Sequence, residues 1–171
     1  MAHNQSLKLT IRKATVNDMR EIWLWWNDKT TRKMMKNNEV VEWDTHVYWY
    51  HNLLRDPNRT LYISQNYDNK IGVVRFDRIF GNVFDTSINL NPDHRGKGYG
   101  AKMIALGVYR IARDQKPITC IASVKIKNPA SWKSFIKAGY TISENIIPED
   151  VRLKDFDPQT EYFLKMDTPQ S

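Results

Sequence analysis

A chain of 171 residues, 41% hydrophobic and 26% charged, has the size and composition of one soluble globular domain. No apolar run approaches the roughly 20 residues of a membrane span, and Met1-Ala2-His3-Asn4-Gln5-Ser6 lacks the basic and apolar regions of a signal peptide, so a cytoplasmic protein without a membrane partner is expected. The formal charge of +7 is carried by Lys and Arg scattered from Lys8 to Lys165 rather than by a basic arm, which leaves polyanions as partners: nucleic acid, or small phosphorylated molecules.

In chain order, Leu7 to Lys13 alternates apolar and polar residues, the period of a half-buried strand. Thr15-Val16-Asn17-Asp18 has capping-box spacing, and Met19, Ile22, Trp23 and Trp26 follow at helical spacing. The polar stretch Asn27 to Glu42 breaks that pattern. A second helix is predicted from near Asp44, with Trp43, Val47, Tyr50 and Leu54 on one face, and the turn Asp56-Pro57-Asn58 stops it. Thr60 to Ser64 and Lys70 to Ile79 read as an antiparallel hairpin across a short loop carrying Asp68 and Asn69. After the turn Phe80-Gly81-Asn82, Phe84, Thr86, Ile88 and Leu90 alternate with Asp85, Ser87 and Asn89, so the polar set shares one face of a strand.

A helix over 101–113 puts Ile104, Val108 and Ile111 on its core side. Ile118 to Val124, bounded by Pro117, reads as a central strand. It contains Cys120, the sole cysteine, which excludes an internal disulfide and predicts a buried, inert thiol. Asn128-Pro129 opens a helix carrying Trp132, Phe135 and Ile136 and ending at Gly139. Tyr140 to Ser143 and Thr160 to Met166 are closing strands linked by a charged loop. The whole, 1–171, is expected to be a single domain with short disordered tails at 1–6 and 167–171. The order βααβββαβαββ implies an α/β (α+β) mixed sheet, with a right-handed crossover joining a parallel pair.

The stretch with most chemical content is Arg95-Gly96-Lys97-Gly98-Tyr99-Gly100, at a strand-to-helix junction. Glycines leave backbone N–H groups uncovered, and the helix that follows adds its positive end, so an anion can be gripped by main chain alone. A nucleotide P-loop needs Lys followed by Ser or Thr, which Lys102-Met103 lacks; a dinucleotide fingerprint spaces its glycines as GxGxxG near the start of a βαβ chain. Neither fits. An ordinary glycine-rich turn is the plain alternative.

The pattern Arg-x-x-Gly-x-Gly from Arg95 to Gly100 resembles the pyrophosphate loop of the GNAT acetyltransferases, which use acetyl-coenzyme A. A second stretch agrees: Asn128-Pro129-Ala130-Ser131, with Phe135 and Gly139-Tyr140, looks like the family's helix beside the pantetheine arm. The resemblance implies the GNAT fold with a splayed parallel strand pair. It also implies a cofactor site formed by Ile88, Asn89 and Leu90, by Arg95, Gly96, Lys97, Gly98, Tyr99 and Gly100, and by Asn128, Ser131 and Phe135. For Asn128 a helix N-cap is the simpler role, and both can hold. No metal is implied.

The N-terminal part is similar to the GNAT subgroup that acetylates 4-amino sugars linked to a nucleotide, as in pseudaminic acid and O-antigen synthesis. That resemblance implies cell-surface polysaccharide biosynthesis and acceptor contacts from Trp26, Asn27, Asp28, Arg32 and His46. Core packing competes for Trp26, and a satisfied helix-face histidine for His46. Transfer would be direct, with Asp85 as a possible base, although a solvated strand carboxylate is an equal reading. Many members carry Tyr as acid where Phe135 stands, which leaves Ser134 or water. A GNAT acting on a protein N-terminus or a polyamine is one alternative. A basic nucleic-acid module without turnover is another, although no nucleic-acid motif appears. A homodimer is compatible with the sequence.

Overall fold

The computed structural model describes residues 8–115, 117–143 and 156–169. Its elements are β1 (Leu9–Lys13), α1 (Met19–Trp26), α2 (Lys29–Met34), α3 (Trp43–Arg55), β2 (Arg59–Asn66), β3 (Asn69–Phe80), β4 (Val83–Leu90), α4 (Tyr99–Gln115), β5 (Thr119–Lys125), α5 (Pro129–Lys137), β6 (Thr141–Ile142) and β7 (Glu161–Asp167). The strands form one mixed sheet in the order β1-β2-β3-β4-β5-β7-β6, parallel only between β4 and β5.

Alternation along the strands sends side chains into two large cores, and Ile71 of β3 joins a smaller third cluster with Tyr99 and Met103. Val74 and Phe76 of β3 join Phe84, Ile104, Val108, Ile111, Cys120 and Phe135 under α4 and α5. Leu61, Ile63 and Val73 face the other way, onto Ile22, Trp25, Tyr50 and Leu53 of α1 and α3. The turn into α1 is pinned as its capping box predicts. The Asp18 carboxylate accepts from the Thr15 N–H at 2.8 Å, from Arg12 at 2.8 Å and from Lys70 at 2.9 Å. Burial pushes that carboxyl up, but Arg12, Lys70 and the Thr15 peptide outweigh it and hold it far below the usual carboxylate range.

Several elements differ from the sequence reading. The polar stretch after Trp26 contains a short helix, α2, which has no apolar stripe and starts because the Asp28 side chain accepts from the N–H groups of Thr30 and Thr31 at 3.1 and 3.0 Å. The inward faces of α1 and α3 are rotated. Trp25 is buried in place of Trp23, while His46, Tyr50 and Leu53 are buried and Trp43 and Leu54 are exposed. The expected C-terminal tail begins too early: Asp167 ends β7, and Thr168 exchanges hydrogen bonds with Ile118 at 2.9 Å. The other tail, 1–6, lies outside the described residues, as does most of the charged loop between β6 and β7.

Candidate active site

β4 and β5 start side by side but pair only through Asp85 and Ile121. Beyond that rung β4 remains zipped to β3 as far as Leu90, and β5 to β7 as far as Lys125, so the two strands part. From Thr86 onward the β5-facing edge of β4 has no strand partner among the described residues. A cleft of about 530 Å³ fills the opening and passes through the sheet. Gly100, Ala130, Ser134 and Phe135 line it on the α4–α5 face, and Thr31, Met35, Lys36 and Glu161 on the α2 face.

The glycine loop forms one end. Gly96 and Gly98 have φ of +72° and +76°, the left-handed region in which successive N–H groups can turn toward one point. At Gly100 the constraint is packing, since a Cβ there would lie 2.7 Å from the Ser134 hydroxyl oxygen. Arg95 also lines the cleft, where its guanidinium donates to the Asp28 carboxylate at 2.6 Å and to the Thr31 hydroxyl at 2.7 Å. Thr31 in turn donates to the Asn89 side-chain oxygen at 3.3 Å, so loop, α2 and the end of β4 are tied together. Lys97 donates to the Asp93 carbonyl at 2.8 Å and lies outside the cleft lining. Ile88, Asn89, Leu90, Gly96, Gly98 and Tyr99 line the cleft as well.

On α5, Asn128 caps the helix by accepting from the Ser131 N–H at 3.3 Å, and both residues line the cleft. Phe135 is buried edge-on against Tyr140, whose hydroxyl donates to Thr86 at 2.9 Å. The Ser134 hydroxyl donates to the Ala130 carbonyl at 2.7 Å, so an acid role would require that bond to break. Asp85 stands on the last paired rung, opposite Asp77 of β3, and is not part of the cleft lining.

The side chains expected to hold an acceptor sugar are mostly engaged within the protein. Asn27 exchanges two hydrogen bonds of 2.9 Å with the Val41 peptide. Asp28 holds the α2 cap and Arg95; burial raises its carboxyl, but Arg95 and the Thr31 and Thr30 peptides outweigh it and keep it below the usual range. Arg32 is buried and donates to the Asn37 carbonyl. His46 is buried, with Nε2 3.0 Å from the Met19 carbonyl, so Nε2 carries the proton. Burial holds its pKa below the usual histidine value, against that bond. Its Nδ1 is buried and has no hydrogen-bond partner among the described residues. Trp26 is half-buried, packed 4.8 Å from Trp49 with the Arg75 guanidinium 5.9 Å from its ring centre.

Residues that no motif indicated complete the α2 face. The Ser123 hydroxyl donates to Glu161 at 2.9 Å, and Lys36 approaches the same carboxylate oxygen at 3.7 Å. Lys125 donates to the Met35 carbonyl at 2.5 Å; burial, with Lys127 and Lys36 nearby, holds its ammonium below the usual lysine value. Strand alternation of Ser123 with Lys125 was a legible signal; Glu161, 38 positions from its partner Ser123, left none.

Residues 8–141 match the Acetyltransferase (GNAT) domain family. The chain belongs to the GNAT acetyltransferases. With that membership come the activity, acetyl transfer to nitrogen, and the co-substrate, acetyl-coenzyme A. No curated protein matches this GNAT chain in sequence. Solved structures match its fold. A spermidine N-acetyltransferase from Vibrio cholerae, in complex with CoA and spermine, has a TM-score of 0.77 at 17% identity over 93% of this chain and 95% of its own. A domain from Methanocaldococcus jannaschii gives 0.76 at 18% over 94% and 99%. An aminoglycoside acetyltransferase in complex with coenzyme A and kanamycin gives 0.74 at 17% over 93% and 94%.

Proposed function

We propose that this GNAT acetyltransferase binds acetyl-coenzyme A with its pyrophosphate on the 96–100 loop and its pantetheine arm along Ile88 to Leu90. The acetyl group is then passed to the primary amine of a small polar molecule, a polyamine or a free amino sugar, that enters from the α2 face. The observation carrying this reading is the cleft running through the sheet at the splay, which lets donor and acceptor approach one carbon from opposite faces. Peptide N–H groups on the unpaired edge of β4 supply the donors for the carbonyl oxygen as charge develops. A nucleotide-linked acceptor receives less support, because Asn27 and Asp28 are bonded within the protein, and Arg32 and His46 are buried with one nitrogen of each already bonded to a carbonyl.

The test is thiol release from acetyl-coenzyme A with spermidine, kanamycin, a 4-amino-sugar nucleotide and an N-terminal peptide, each repeated with Gly98→Trp. Turnover of the first two, lost in the variant, supports the proposal. Turnover confined to the sugar nucleotide would overturn the acceptor assignment and restore the narrower expectation.

A further inference from the structure

Glu161 has no role in the reading above, yet it is the carboxylate that lines the cleft on the acceptor side. It is 7% exposed, and among the described residues its contacts all go to one oxygen, Oε2. These are the Ser123 hydroxyl at 2.9 Å, the Asp157 N–H at 3.5 Å and the Lys36 ammonium at 3.7 Å. Oε1 is left over. A buried carboxylate with one oxygen held and the other unclaimed is fixed in orientation while keeping a free acceptor site. Its height in the sheet also fits. Asp85 and Ile121 form the last paired rung, so Ser87 and Ser123 stand two residues further on, on either side of the opening where the strands first separate. Glu161 is bonded to Ser123 at that level, whereas Asp85 sits on the closed rung behind it.

We infer that Glu161 is the catalytic base of the acetyl transfer and that its acceptor arrives as an ammonium ion. The assignment rests on the acceptor side proposed above. Glu161 Oε1 takes one proton from R–NH3+. The freed nitrogen lone pair forms the N–C bond to the thioester carbonyl, and the C–S bond breaks with its electron pair on sulfur. The second N–H proton passes to that sulfur to give the thiol, and Glu161 later returns its proton to solvent. Among the described residues, the Lys36 and Lys125 ammonium groups act on this carboxylate, and Asp157 faces it from the turn before β7.

The experiment compares the parent protein with Glu161→Gln, Glu161→Asp and Ser123→Ala, using acetyl-coenzyme A and whichever of spermidine and kanamycin is turned over, from pH 7 to pH 9.5. Coenzyme A titration serves as the control for folding. Glu161→Gln should lose roughly 100-fold or more in kcat at pH 7 with coenzyme A affinity unchanged. The deficit should narrow as pH rises toward the amine's own pKa near about 10, where solvent supplies the free base. Glu161→Asp should recover part of the rate, and Ser123→Ala should lose several-fold. A Glu161→Gln kcat within twofold of the parent, or a deficit that does not change with pH, overturns the assignment alone. If Glu161→Gln does not fold, a Ser123→Ala protein with unchanged kcat overturns it instead. A parent protein that binds coenzyme A but acetylates neither amine removes the acceptor reading and Glu161 with it.

Discussion

Gly98→Ala separates the backbone of the glycine loop from its packing. A Cβ added at Gly98 would meet nothing within 4 Å, so the substitution brings no clash, only the strain of holding a side chain at φ +76°. That strain is worth about 1–2 kcal/mol, and the smaller entropy of the unfolded alanine chain offsets about 0.4–1 kcal/mol of it. A net loss of about 1 kcal/mol corresponds to a fall in melting temperature of about 2–4 °C for a domain of this size. The effect on ligand should be larger than the effect on folding. If the loop grips the diphosphate through N–H groups aimed by the two left-handed glycines, relaxing one re-aims the donors, and coenzyme A affinity should drop tenfold or more, about 1.4 kcal/mol. Urea unfolding followed by tryptophan fluorescence gives the first quantity and calorimetric titration the second. Gly100→Ala is the contrast: its Cβ would press on Ser134 at 2.7 Å, so stability should suffer through the α4–α5 contact. A Gly98→Ala protein with parental coenzyme A affinity would refute the main-chain grip.

Asp28→Asn keeps the α2 cap but breaks the ion pair with Arg95, a partly exposed pair worth about 1 kcal/mol or less. Arg95 is then free for phosphate, so coenzyme A should bind two- to fivefold tighter in the same titration; weaker binding would contradict this. The pKa of His46 is lower in the folded protein than in the unfolded chain, so the unfolded chain takes up the extra proton. Stability is therefore fully present above about pH 6.5 and is lost as pH falls from there toward the folded value, by at most about 1.4 kcal/mol per pH unit. Urea midpoints between pH 7.5 and 5 should show that slope, and His46→Leu should reduce it. The Cys120 thiol, fully buried and pushed up by burial to about 11, should resist a thiol reagent in the native state and react on unfolding.

The strands, the glycine loop, the α5 cap and the burial of Cys120 were legible because each rests on neighbours a few positions away. Periodicity placed Val83 to Leu90 within its strand, and Asn128 announced its helix by local capping chemistry. What was not legible depends on distant partners. Arg95 meets Asp28 across 67 positions, and Asn27 meets Val41 across 14. Nothing in the composition of either stretch says that these polar groups satisfy each other rather than a substrate. The faces of α1 and α3 were misjudged for a related reason: an aromatic-rich helix offers two overlapping apolar stripes, and only the sheet beneath selects one. α2 escaped because its stability comes from a single capping carboxylate rather than from an apolar face.

The parting of β4 from β5 has one further consequence. Each strand is restrained by its outer neighbour, so the gap belongs to the protein before any ligand arrives. Neighbouring strands in a sheet lie about 4.8 Å apart, so an extended guest bonded sideways to the open edge of β4 would take the place of the next strand. A long flexible thread with regularly placed amide groups can act as a surrogate strand there without unzipping anything. A flat, rigid molecule of equal size would gain little from the same slot.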